Sequence, residues 1–278
     1  MKIELASSCG FCFGVKRAIK MAESAGTAAT IGELIHNAEE IKRLKDKFGV
    51  KTLSGISEIT DENKLIIRTH GITKDDLEIL KSQNKELIDA TCPFVTKPQQ
   101  IVEEMSENGY DIVIFGDTNH PEVKGVKSYG KDQSRVFVVL DESGLENIKF
   151  KSKVAVVSQT TKKIENFMKI VDFLVKKVRE VRVFNTICNA TLENQEAAKE
   201  LAERADIMII IGGKNSSNTK QLFLISQKFC KDSYLIENEN ELEISWFENK
   251  NLCGISAGAS TPDWIIQKVI AKIENFNL

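Results

Sequence analysis

Cys12, Cys92 and Cys188 lie 80 and 96 residues apart, a repeat-like spacing foreign to zinc fingers, and each falls where a strand-like run gives way to a helical one. Thiolates are soft ligands suited to iron–sulfur clusters or zinc. Cuboidal clusters normally take four cysteines; three leave one iron open to an oxygen ligand, a reactive arrangement rather than a purely electron-carrying one. Taken singly, each cysteine also reads as a small buried residue. The matching positions favour shared ligation. Cys9 and Cys12 form a Cys-x-x-Cys that suits a redox pair, but no second such pair exists to complete a zinc site. Cys9 is therefore read as a bystander, and Cys230 and Cys253, in apolar surroundings, as core.

All three histidines, His36, His70 and His120, fall at the ends of loops. A lone histidine is commonly a satisfied surface or core residue. Near helix N-termini, imidazoles can donate to phosphate oxygens or shuttle protons near neutral pH, and zinc ligation by the three is a further option. Glu122, after His120-Pro121, is the natural proton donor; it reads equally as an acid in a helix first turn, favoured by the macrodipole. Proximity to a cluster and an anionic substrate would raise its pKa by like-charge repulsion. Gly212-Gly213-Lys214-Asn215-Ser216-Ser217-Asn218 follows an aliphatic run and offers hydroxyls, an amide and backbone N–H groups to an anion. It lacks the Walker A spacing, and no Gly-x-Gly-x-x-Gly supports a dinucleotide site. Thr160-Thr161 and Ser260-Thr261 share this cap character, which alone marks only an ordinary helix start.

Positioning these groups falls to alternating strands and helices. Leu65–Arg68, Ile112–Phe115, Val154–Ser158, Ile207–Ile211 and Leu252–Ser256 are short aliphatic or β-branched runs, each followed by a segment of helical periodicity. Such runs predict α/β architecture with small, mostly parallel sheets covered on both faces. Three segments repeat one plan of strand, cysteine and helix: Ile3 to Cys12 with helix 15–23, Leu87 to Cys92 with helix 97–105, and Val183 to Cys188 with helix 193–203. Two more β-to-α junctions follow each, giving nine in three sets of three. The expected division is 10–92 (Cys12, His36, His70), 93–184 (His120, Glu122, Thr160) and 185–278 (Cys188, Ser216, Asn218, Ser260), the last completed by residues 1–9. Ligands of open parallel sheets sit beyond the carboxyl ends of the strands. Three similar αβ domains packed about a pseudo-threefold axis would turn three cysteines and six polar loops toward one central pocket.

The 278 residues carry a net charge of −2, so no broad basic field exists to hold a nucleic acid. The N-terminus shows no secretory h-region and no apolar run approaches membrane-spanning length. A reducing cytoplasmic setting is expected, in which disulfides are a poor default for the six cysteines.

The ordered motifs resemble the 4-hydroxy-3-methylbut-2-enyl diphosphate reductases, the IspH/LytB family, along essentially the whole chain. They run Gly10-Phe11-Cys12-Phe13-Gly14-Val15-Lys16-Arg17-Ala18, Ile35-His36-Asn37, Arg68-Thr69-His70-Gly71, Asp89-Ala90-Thr91-Cys92-Pro93 and His120-Pro121-Glu122-Val123. Ser158-Gln159-Thr160-Thr161, Ile187-Cys188-Asn189-Ala190-Thr191, Asn215-Ser216-Ser217-Asn218 and Ala257-Gly258-Ala259-Ser260 complete the series. The resemblance implies a trefoil around one [4Fe–4S] cluster held by Cys12, Cys92 and Cys188, with one open iron for the substrate hydroxyl. It implies that His36, His70, His120, Ser216, Ser217, Asn218 and Ser260 hold the diphosphate. Glu122 would deliver protons through a network including Thr160, which also positions the hydroxyl. Ferredoxin or flavodoxin would supply the electrons, and isopentenyl and dimethylallyl diphosphates would be the products of this last step of the non-mevalonate pathway. Where the family often has Gly-His, this chain has Gly116-Asp117-Thr118-Asn119, implying a shifted loop surface with catalysis kept.

Two other classes stay open on the residues alone. A non-catalytic cluster or zinc protein explains the cysteines but leaves the Ser-Ser-Asn and His-Pro-Glu elements idle. A non-redox lyase with an open iron would need no electron donor, so neither rival consumes a reduced dye on meeting substrate.

Overall fold

The computed structural model describes residues 1–276. These form strands β1 (Lys2–Leu5), β2 (Ala28–Ile31), β3 (Val50–Leu53), β4 (Lys64–Ile67), β5 (Glu86–Asp89), β6 (Asp111–Phe115), β7 (Val136–Val139), β8 (Lys153–Ser158), β9 (Glu180–Val183), β10 (Ile207–Ile211), β11 (Ser233–Ile236) and β12 (Leu252–Ala257). The helices are α1 (Phe13–Ala25), α2 (Ala38–Phe48), α3 (Lys74–Ser82), α4 (Pro93–Glu107), α5 (Pro121–Ser128), α6 (Ile164–Lys177), α7 (Asn189–Ala202), α8 (Ser217–Phe229) and α9 (Asp263–Glu274).

The strands build three four-stranded sheets, ordered β3-β2-β4-β5, β7-β6-β8-β9 and β11-β10-β12-β1. Every pairing is parallel. The α/β class with small parallel sheets is thus what the chain adopts. One plan serves all three: an inner strand, an edge strand, a second inner strand, then an outer one. In the third sheet the outer place goes to β1, in register Lys2 to Leu252 and Leu5 to Ile255. The inner strands β6 and β10 are buried at every position, the pattern of a parallel sheet covered on both faces. Burying each aliphatic side chain contributes about 1.5–3 kcal/mol.

The structure corrects some of the expected boundaries. The run beginning at Val183 starts where β9 ends, so residues 184–188 form an irregular connection rather than a strand. The helices after the cysteines begin early, α1 by two residues at Phe13, and α4 and α7 by about a turn at Pro93 and Asn189. Pro93 explains one of these starts, since its fixed φ and missing N–H suit a first helical position. Each of the three cysteines therefore immediately precedes a helix.

The chain forms two compact units. The two-sheet unit comprises Arg17–Leu34 and Lys45–Cys188. The one-sheet unit comprises Met1–Lys16, Ile35–Leu44 and the described residues from Asn189 onward. Among the described residues no helix is long and apolar enough to cross a membrane.

Candidate active site

In the two-sheet unit, six of the singled-out residues form one succession of local contacts. The Cys92 N–H donates to the Thr69 carbonyl at 3.0 Å. Arg17 steadies the same turn, donating to the carbonyls of Thr91 at 3.1 Å and Asp89 at 3.2 Å. Thr69 leads into His70, whose turn closes through Gly71 at φ +70°; a Cβ there would lie 2.9 Å from Gln99 Nε2. The His70 and His120 rings meet edge to face with centroids 5.4 Å apart.

His120 is the N-cap of α5, and its Nδ1 accepts the Glu122 N–H at 3.2 Å. A neutral ring accepting at Nδ1 carries its proton on Nε2, which makes that atom the donor for an anion. Glu122 is 2% exposed. Its Oε1 accepts the Thr160 N–H and its Oε2 the Thr160 hydroxyl, both at 2.7 Å. The Thr160 carbonyl in turn accepts the Cys188 N–H at 3.0 Å. Burial pulls the Lys162 pKa down from the usual lysine value, while Asp117 and Glu122 oppose that shift.

Asp117-Thr118-Asn119 is an exposed turn. Asp117 Oδ1 accepts the Asn119 N–H at 2.9 Å, and the Asp117 N–H donates to Gln159 Oε1 at 3.0 Å. Aspartate is suited to such a self-bonded turn, so the sequence departure is accommodated locally and His120 keeps its capping position.

The one-sheet unit collects a different set. The Cys12 N–H donates to the Ala259 carbonyl at 3.2 Å. Ser216 is the N-cap of α8, its Oγ accepting the Thr219 N–H at 3.3 Å. Ser217 and Asn218 occupy the first helical turn, where unpaired backbone donors and the macrodipole favour an anion. Asn218 is 4% exposed, and neither atom of its side-chain amide has a partner in the protein. Ser260 Oγ donates to the His36 carbonyl at 3.1 Å, so this hydroxyl must rotate before it can donate to a ligand. Gly213 lies beneath the same carbonyl, and a Cβ there would stand 2.5 Å from it.

The model of the LytB protein family matches residues 3–274. The chain belongs to the LytB protein family. A 4-hydroxy-3-methylbut-2-enyl diphosphate reductase of Campylobacter hominis is 74% identical over 273 residues, 98% of each chain. One of Campylobacter curvus is 73% identical over 276 residues, 99% of this chain and 100% of the relative. Among solved structures, an (E)-4-hydroxy-3-methyl-but-2-enyl diphosphate reductase, described as the terminal enzyme of the non-mevalonate pathway, matches with a TM-score of 0.73 and 42% identity, over 98% of this chain and 99% of that one. The E-1-hydroxy-2-methyl-but-2-enyl-4-diphosphate reductase of Plasmodium falciparum matches with a TM-score of 0.90 and 29% identity, over 97% of this chain and 86% of that one.

Within this LytB chain several residues that sequence reasoning gave no role support the site. Arg17 braces the Cys92 turn, and Gln99 packs closely against Gly71 beside His70. Gln159 ties the Asp117 turn to Thr161, its Nε2 donating to Thr161 Oγ1 at 3.2 Å. Thr186 donates to the Ser158 carbonyl at 2.5 Å and accepts the Ser158 N–H at 2.8 Å, fixing the turn that leads to Cys188. Their only sequence signal is proximity to the cysteine, histidine and threonine motifs. No disulfide joins any of the six cysteines. Cys9 packs against the core of its unit, and burial, aided by Asp263, pushes its thiol up to about 11. Cys253 is fully buried and pushed up to about 12.

Proposed function

We propose that this chain performs the reductive dehydroxylation of 4-hydroxy-3-methylbut-2-enyl diphosphate, giving isopentenyl and dimethylallyl diphosphates and water. The observation that carries the reading is the run of contacts from Cys92 through His70, His120, Glu122 and Thr160 to Cys188. It puts a buried, hydrogen-bonded carboxyl between two candidate cluster ligands. The relatives named as this reductase agree with it.

The donor set fits an iron–sulfur cluster. Cys12, Cys92 and Cys188 are half-buried, joined in no disulfide and placed at helix starts, and the Cys92 side chain takes no part in capping α4. These three thiolates would hold a [4Fe–4S] cluster with one iron lacking a protein ligand. When bound, such a cluster supplies electrons singly and a Lewis acid for the departing hydroxyl.

The protein's own residues supply the rest. Ionised Glu122 accepts the hydrogen bond of the Thr160 hydroxyl at Oε2. Protonated Glu122 reverses that bond, donating to Thr160 Oγ1 and releasing the threonine hydroxyl to donate to substrate oxygen. Two electrons and two protons are consumed: one proton leaves with the hydroxyl as water, and the other reaches carbon. Nε2–H of His120, with His36 and His70, would bind diphosphate oxygens, as would Ser216, Ser217, Asn218 and Ser260. Binding energy from this remote group would orient the reacting carbon.

The three-repeat division at 92 and 184, with residues 1–9 completing the last, belongs to the same proposal. Its support is that β1 fills in one sheet the outer place that β5 and β9 fill in the others. A cytoplasmic setting and a ferredoxin or flavodoxin donor complete the reading. The test is anaerobic oxidation of a reduced viologen dye. The reductase oxidises two electron equivalents per diphosphate consumed, with the two isomeric diphosphates appearing in step. Diphosphate consumed without dye oxidation would place the chain among non-redox lyases.

A further inference from the structure

In α2 the pattern Ala38-Glu39-Glu40 reads as a solvated acidic first turn, yet Glu40 is 1% exposed. Its carboxylate accepts from Arg43 Nε at 2.9 Å, from the Arg43 terminal nitrogen at 2.7 Å and from Trp264 Nε1 at 3.0 Å. Its own N–H donates to Asn37 Oδ1 at 3.0 Å, which ties it to the residue directly after His36. Trp264 is the second residue of α9 and lies four positions after Ser260. One carboxylate therefore joins the helix start behind His36 to the helix start behind Ser260. Ser260 Oγ and Gly213 contact the His36 carbonyl from the same unit, so the strap Ile35–Leu44 is fastened at both its turn and its helix.

A buried carboxylate is a poor choice for stability alone, because a well-packed apolar residue serves as well or better. What three directional charge-assisted bonds add is a fixed orientation. We propose that Glu40 is a positioning residue of the diphosphate site: clamped by Arg43 and Trp264, it fixes the His36–Asn37 turn relative to Ser260. The kinetic consequence rests on the reading of His36 and Ser260 as diphosphate ligands; the structural consequence does not.

The test uses cluster-reconstituted protein carrying Glu40→Gln or Trp264→Phe, with inorganic pyrophosphate as the probe of the anion site. Glu40→Gln is expected to raise both the substrate KM and the pyrophosphate inhibition constant about tenfold, with kcat within about twofold of the parent. Trp264→Phe, which keeps an aromatic ring and removes the indole donor, is expected to raise both by about threefold. Amide hydrogen exchange is expected to quicken across residues 35–44 in both variants while β10 and β12 stay protected. Unchanged exchange in that strap overturns the proposal. Faster exchange with unchanged KM and inhibition constant also overturns it, leaving Glu40 a purely structural group. His36→Ala run alongside separates the two readings. If that variant leaves the pyrophosphate constant unmoved, the diphosphate assignment fails with the kinetic part of this proposal, and strap exchange alone decides whether Glu40 positions the turn.

Discussion

In the two-sheet unit Glu122 is 2% exposed and both its carboxylate oxygens are engaged by Thr160. In the one-sheet unit Asn218 is 4% exposed and neither amide atom finds a protein partner. A proton carrier must be held in one geometry before the substrate arrives, and its hydrogen bonds supply that preorganisation. A ligand-binding amide must keep its bonding capacity for the ligand, and an unsatisfied buried polar group costs about 1–3 kcal/mol until then. Under the proposed function, Glu122 in the one unit would serve the chemistry and Asn218 in the other the grip, and each can be broken separately.

The largest expected effect is on the chemical side. Glu122→Gln removes the titrating group while keeping its shape, and kcat is expected to fall about 10³-fold with KM within about twofold. Steady-state dye oxidation reads both. Thr160→Val severs the hydroxyl link and is expected to lower kcat about 10²-fold, whereas Thr160→Ser keeps it and is expected to stay within about fivefold.

On the binding side, Asn218→Ala is expected to raise KM about tenfold with kcat nearly unchanged. Its melting temperature should stay level or rise, because the substitution removes a buried amide that has no partner. A KM effect from Glu122→Gln, or a kcat effect from Asn218→Ala, would break the division of labour.

The smallest and finest test concerns the thiols. After anaerobic removal of iron, Cys12, Cys92 and Cys188 are expected to label quickly with a thiol reagent at pH 8, and Cys9, Cys230 and Cys253 slowly. Burial raises the pKa of the latter three, to about 11 for Cys9 and about 12 for Cys253, so their reactive thiolates are scarce at that pH. Mass spectrometry of the labelled peptides checks the assignment.

Much of this was legible in the sequence because the informative residues are of chemically loud types at periodic places. Ile207–Ile211 reads as a buried strand from its aliphatic run, and β10 has those bounds. Cys12, Cys92, Cys188, the histidines and Thr160 lie at β-to-α junctions because open parallel sheets put their polar loops there. The edge strands β3, β7 and β11 escaped notice: each has four residues whose middle pair is not buried, too short and mixed to show a period. β2, Ala-Ala-Thr-Ile, opens on two alanines, a residue depleted in strands, and so gives a weak strand signal. The start of α4 was misplaced because Thr91-Cys92-Pro93 reads as a turn until Pro93 is recognised as a first helical residue. Glu40 was invisible for a different reason: its partner Trp264 is 224 positions away, and no local pattern reports so distant a contact.

The central claim is that three thiolates hold a cluster with one reactive iron beside a proton-delivering carboxyl. Iron-57 Mössbauer spectroscopy of anaerobically reconstituted protein, with and without 4-hydroxy-3-methylbut-2-enyl diphosphate, tests it most directly. The expected result is a cluster in which one iron of the four stands apart and changes its signal when the diphosphate is added. An intact cluster whose spectrum ignores the compound, or a protein that assembles no cluster at all, would contradict the account.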